Sequence, residues 1–210
     1  IGADGQGIDS VSYDDDAPWP AGADALGASE EWLAPELLPL EGHRYQGISL
    51  ERVSFETPSG EIANWAPSPL DGATPGRPNA STRPEPLPVV SEILASASTG
   101  TEGLIRAGQE VRIQALFTPG KPSGAVELDH FIDLILTAGE EPITTVAMSD
   151  DGLTGGDLIA GDGVYTALLP GNPDNTVVRY RIRADRGTGM EPVSPRPGDP
   201  NAWLAYFVSP

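Results

Sequence analysis

From residue 88 to the carboxyl end, the chain runs in short stretches that alternate apolar and polar positions or are rich in β-branched residues. They are PVVSEILASAS (88 to 98), QEVRIQALFTP (109 to 119), VELDHFIDLILTAG (126 to 139), PITTVAMSD (142 to 150), GVYTALLP (163 to 170), TVVRYRIRAD (176 to 185) and AWLAYFVS (202 to 209). A period of two marks a strand with one face buried. Such runs, separated by turn residues within about 120 residues, predict an immunoglobulin-like β-sandwich over 89 to 210, and a fibronectin-III-like variant fits the same spacing.

The first 80 residues are less regular. GIDSVSYD and ISLERVSF read as strands, and ASEEWLAPELLPLEGHRYQG (28 to 47) predicts one short helical turn, capped by Ser29 and stopped by Pro35. Between the two regions, SPLDGATPGRPNASTRPEPLP (68 to 88) is crowded with prolines, which lack the N–H that a helix or central strand requires. This places a linker at 81 to 88, after a region of 1 to 80. Because 25 glycines and 22 prolines are spread along the chain without a fixed period, long helices and solenoid repeats are not expected. The class is all-β.

Charge narrows the partners. Twelve basic residues face 31 acidic ones, for a net charge of -19, and Lys121 is the one lysine. Such a surface repels nucleic acid and anionic headgroups, whose non-specific binding relies on clustered cations, so neither nucleic acid nor membrane insertion is expected. It suits a salty or calcium-containing medium, where carboxylates stay hydrated or take up divalent cations. The absence of cysteine excludes disulfides, thiolate metal sites and a cysteine nucleophile. The opening IGADGQGIDSVSYDDD has no initiator Met and reads as the later part of a longer exported protein, extracellular or at the cell surface.

Candidate chemistry concentrates in SDDGLTGGDLIAGDGVYTALLPG (149 to 171). Asp150, Asp151, Asp157 and Asp162 are separated by glycines that can fold them back on one another, which makes them candidate calcium ligands. An EF-hand fails here, because a loop starting at Asp151 puts Leu153 and Gly155 where oxygen ligands are needed. The competing reading is a long hairpin loop, with glycines at positive φ and aspartates bonded to their own backbone as Asx-turns. A catalytic carboxylate pair is disfavoured, since so polar a loop offers no desolvation to split two pKa values.

A second candidate is a glycan platform. Trp19, held between prolines beside Asp14, Asp15 and Asp16, could stack on a sugar ring while the acids accept hydroxyl hydrogen bonds; Trp32 is the other candidate ring. The alternative is that Trp19, Trp65 and Trp203 plug the ends of sandwiches. Arg179, Arg181 and Arg183 fall on one strand face opposite Val178, Tyr180 and Ile182, where they could grip an anionic glycan or pair with acids across the sheet. His130 shares a face with Leu128, Ile132 and Leu134, and His43 has no serine elbow nearby, so neither a hydrolytic triad nor a zinc site is expected. No catalytic residues are assigned.

The blocks IDSVSYDDDAPWP (8 to 20), GISLERVSF (47 to 55), ANWAPSP (63 to 69) and GATPGRPN (72 to 79) together resemble the carboxy-terminal half of a bacterial lamin-tail domain, with 28 to 47 as an insertion. That resemblance implies a small immunoglobulin-like β-sandwich over about residues 1 to 80, lacking its usual opening strands. DDGLTGGDLIAGDGVYTALLPG (150 to 171), VVRYRIRADRG (177 to 187) and PRPGDPNAWLAYFV (195 to 208) are similar to the immunoglobulin-like module that follows lamin-tail domains in large secreted bacterial proteins. A spore-coat-H kinase-like domain often comes next in such proteins; this chain has no Gly-rich nucleotide loop or catalytic His-Arg-Asp stretch. The resemblance implies a non-catalytic structural or adhesive module pair, with a carbohydrate-binding accessory as the alternative. Open strand edges in the first region are expected to be completed by other domains of the parent protein or another chain.

Overall fold

The computed structural model describes residues 9–12, 19–20, 49–68, 74–98, 104–133, 142–196 and 203–210. They fall into two compact units, divided between Pro86 and Leu87.

In the first unit, β1 (Leu50–Arg52) and β2 (Trp65–Pro67) form an antiparallel pair, and a single 3-10 turn at Ile62–Asn64 leads into β2. A buried amide organises the connection. Asn64 accepts from the Ser54 N–H at 2.7 Å and donates to the carbonyls of Ser54 at 2.9 Å and Thr57 at 3.0 Å, so its side chain replaces a backbone ladder. Part of the expected linker belongs to this unit. Ser81 N–H donates to buried Glu51, Arg83 N–H donates to the Val53 carbonyl, and the Ser54 hydroxyl donates to the Pro84 carbonyl. The prolines leave few N–H groups in this stretch, and those of Ser81 and Arg83 bind it to Glu51 of β1 and to Val53 just after it. Residues 28 to 47, with the expected helical turn, lie outside the described residues.

The second unit is an all-β sandwich. One sheet has the order β3 (Val89–Ala97), β5 (Val111–Thr118), β8 (Val164–Leu169). The other runs β4 (Ile105–Arg106), β11 (Leu204–Ser209), β9 (Val177–Asp185), β6 (Val126–Asp133), β7 (Thr144–Met148), with β10 (Met190–Ser194) also on β9. This order, with the amino-terminal edge split between the sheets, is an immunoglobulin-like arrangement.

Alternation explains the packing. Val111, Ile113, Ala115 and Phe117 of β5 meet Val178, Tyr180, Ile182 and Ala184 of β9 in one buried cluster, joined by Leu128, Leu169 and Val208. Two further features shape the sheets. In β3 the register shifts between Val90 and Glu92, a bulge that lets adjacent Val89 and Val90 both be buried. On β9, β6 occupies one edge along its length, so β10 and β11 share the other edge as two halves of one interrupted strand.

Candidate functional site

The loop between β7 and β8 is closed at its neck by one carboxylate. Asp150 accepts from the N–H groups of Gly161 at 2.7 Å, Asp162 at 3.1 Å and Gly163 at 3.3 Å, and Lys121 Nζ lies 2.7 Å from its Oδ2. Its side chain is only 4% exposed. Burial alone would raise the Asp150 pKa, but the hydrogen bonds from Lys121, Gly161 and Gly163 outweigh it and hold the carboxyl below its ordinary value. The one lysine is therefore the countercharge of the loop neck.

The other three aspartates serve different parts of the same backbone. Asp151 accepts from Leu153 N–H, Thr154 N–H and the Thr154 hydroxyl, which lowers its pKa. Asp157, buried, accepts from Gly152 N–H at 2.6 Å, and Asp162 accepts from Val164 N–H at 2.9 Å. The four carboxylates are thus not gathered around one point, and no group of three or more acidic or imidazole side chains among the described residues has metal-binding geometry. Each is directed instead to N–H donors that a loop of this length leaves without ladder partners.

Glycines let the loop lie flat on the sheet. Gly155, at φ 62°, sits so close to β8 that a Cβ would stand 2.7 Å from the Thr166 carbonyl oxygen, and a Cβ on Gly156 would meet the Leu168 side chain at 2.8 Å. Ser149 and Thr166 exchange backbone hydrogen bonds beneath it. With its inner side against β8, the loop turns three aliphatic side chains outward: Leu153 is 86% exposed, Leu158 75% and Ile159 62%. This is a compact Ω-type loop with an apolar tip.

The outer face of β6 and β9 carries a charge ladder. Arg179 pairs with Asp133, Arg181 with Asp129, and Arg183 with Glu127 and Asp129. Asp129 is buried on this face, and Thr145 of β7 donates to it at 2.7 Å. Desolvation raises the Asp129 pKa, but the Thr145 and Arg181 hydrogen bonds and the arginine charges prevail and lower it. The Arg181 guanidinium lies 4.4 Å from the Trp203 ring centroid, and Phe131 makes a T-shaped contact with that ring. Of the two readings of the arginine face, cross-sheet pairing is the one observed. His130, on the opposite side of β6, has its pKa lowered by desolvation against a smaller upward pull from Asp129.

The glycan candidates separate. Trp19 is buried, with its ring centroid 6.4 Å from that of Trp65, which removes it as an exposed stacking surface. Asp14, Asp15, Asp16, Trp32 and His43 lie outside the described residues.

No family model matches the chain, and no curated protein matches it. A solved structure described as "Crystal structure of Br derivative BhCBM56" is similar to it at 12% identity and a TM-score of 0.32, covering 55% of this chain and 91% of that chain. A likeness of that size carries no argument about fold or ligand.

Sequence reasoning passed over the residues that give the loop its character. Leu153, Leu158 and Ile159 read as ordinary aliphatics; the available signal was that glycines isolate them from any period-two run. Lys121 carried a signal as well, since a single lysine in so acidic a chain has many possible partners and occupies a defined place beside Asp150.

Proposed function

We propose that the chain is a non-catalytic structural and adhesive module pair of a larger secreted or cell-surface protein. The observation that carries this reading is the way the second unit holds its carboxyl-terminal strand. β11 is antiparallel to β9 on one side and parallel to β4 on the other, with Ala107 N–H donating to the Ser209 carbonyl. The start of β3 is paired with the end of β5, while the end of β11 is paired with the start of β9. These points lie at opposite ends of the sandwich, so a pull on the chain shears strands along their length and loads many hydrogen bonds together. That geometry suits a spacer that transmits force, with the loops at its ends free to make contacts.

The acidic composition and the lamin-tail resemblance support an extracellular setting. Calcium enters this reading only as a further ligand of a loop whose carboxylates already have N–H and ammonium partners. The glycan-binding alternative now rests on Trp32 and Asp14 to Asp16; glycan binding abolished by Trp32→Ala would promote it.

Single-molecule pulling through residues 87 and 210 tests the spacer reading. One abrupt unfolding event, moved to lower force by Ala107→Pro, is the expected result, because proline removes the Ala107 donor to β11. Gradual unfolding at low force, unchanged by Ala107→Pro, would refute it.

A further inference from the structure

We infer that the tip of the β7–β8 loop is a protein-docking surface, and that its partner presents apolar side chains flanked by basic ones. This deepens the adhesive half of the proposed function and rests on it. Three features of the tip favour docking over an incidental patch. First, Leu153, Leu158 and Ile159 are all more than half exposed. The backbone also brings two of them to one crossing: Gly152 is so near Ala160 that a Cβ on it would lie 2.8 Å from the Ala160 nitrogen, with Leu153 following Gly152 and Ile159 preceding Ala160.

Second, the loop is preorganised. The N–H groups of Gly152, Leu153, Thr154, Gly161 and Gly163 are held by Asp157, Asp151 and Asp150, and its base lies on Thr166 and Leu168 of β8. A partner would not have to order it, so little conformational entropy is lost on contact.

Third, the charge around the tip selects the occupant. Asp151, which accepts from the Leu153 N–H, and Asp162 of the same loop are both exposed, while Lys121 is engaged with Asp150. Exposed acids in the same loop as exposed aliphatic side chains complement a partner surface that combines basic and apolar side chains. It disfavours an anionic membrane, which attracts basic segments, and it disfavours a second copy, because the chain carries a net charge of -19.

The test is selection of a random displayed-peptide library on the full chain, with counter-selection on Leu158→Asp. Leu158 is 75% exposed, so an unchanged melting temperature will verify that the variant folds, and Ile159→Asp gives an independent second variant. Enriched peptides should combine aliphatic or aromatic residues with Arg or Lys. They should bind either variant about tenfold more weakly than wild type and lose affinity as salt rises. Peptides without basic residues, equal binding to the variants, or no enrichment would overturn the inference. So would co-sedimentation with phosphatidylcholine or phosphatidylserine vesicles that is lost in Leu158→Asp, which would assign the tip to lipid, or self-association lost in that variant, which would assign it to a second copy. Force resistance is read from β4 and β11, so the spacer reading can stand or fall separately.

Discussion

Asp150 shows how much one side chain can organise when it is buried next to a loop. Three backbone donors and an ammonium converge on it. Its removal leaves those N–H groups without their acceptor, and unsatisfied donors cost more than a typical hydrogen bond contributes. Asp150→Ala is expected to lower unfolding free energy by about 2 kcal/mol in urea titration, with Asp150→Asn falling between it and wild type. Thr166 presents the opposite case. It is fully buried beneath the loop and its hydroxyl has no hydrogen-bond partner, so Thr166→Val, which keeps the shape, should raise stability by about 1 kcal/mol. A destabilised Thr166→Val variant would mean that the hydroxyl has a partner after all.

Among the elements, legibility followed burial on one face. β5 and β9 alternate so regularly that their runs, 109 to 119 and 176 to 185, could be read directly, and the arginine face of β9 followed from the same period. β4 escaped because a two-residue strand has no period, and β10 because its Met-Glu-Pro-Val-Ser sequence pairs only with the far half of β9. In the loop, the Asx-type bonding of Asp151 and Asp162 was one of the readings available, since glycine and aspartate mark turns by composition. Which carboxylate would close the neck was not readable. That choice depends on Lys121, which is distant in sequence and is brought in by the turn between β5 and β6. The close approach of the loop to β8 makes its own prediction. Gly155→Ala must place a Cβ at positive φ and against a backbone oxygen, and it is expected to cost about 2 kcal/mol or more, whereas Gly120→Ala, with open space around it, should cost less. Chemical denaturation of the two variants compares them.

Over the whole molecule, the titrating groups define how stability depends on pH. Asp129, Asp150 and Asp151 have folded pKa values below their ordinary ones, so their contribution is present above the unfolded carboxylate pKa of about 4 and is lost as pH falls through the folded values. His130 also has a lowered pKa, for a different reason: burial disfavours its charged form. The unfolded chain therefore takes up that proton first, and stability begins to fall below about pH 6.5, before the carboxylates titrate. Melting temperatures measured from pH 8 to pH 3 should decline in two stages, with the upper stage reduced in His130→Gln.

The central claim is that the β7–β8 loop is fixed by its own aspartates and Lys121, and so forms a rigid tip. Amide hydrogen exchange in chelator, repeated with calcium, tests this most directly. Slowed exchange at Gly152, Thr154, Gly161 and Gly163 in chelator is expected, with little change when calcium is added. Free exchange at these amides in chelator, with protection gained only on adding calcium, would contradict it and make the aspartates metal ligands.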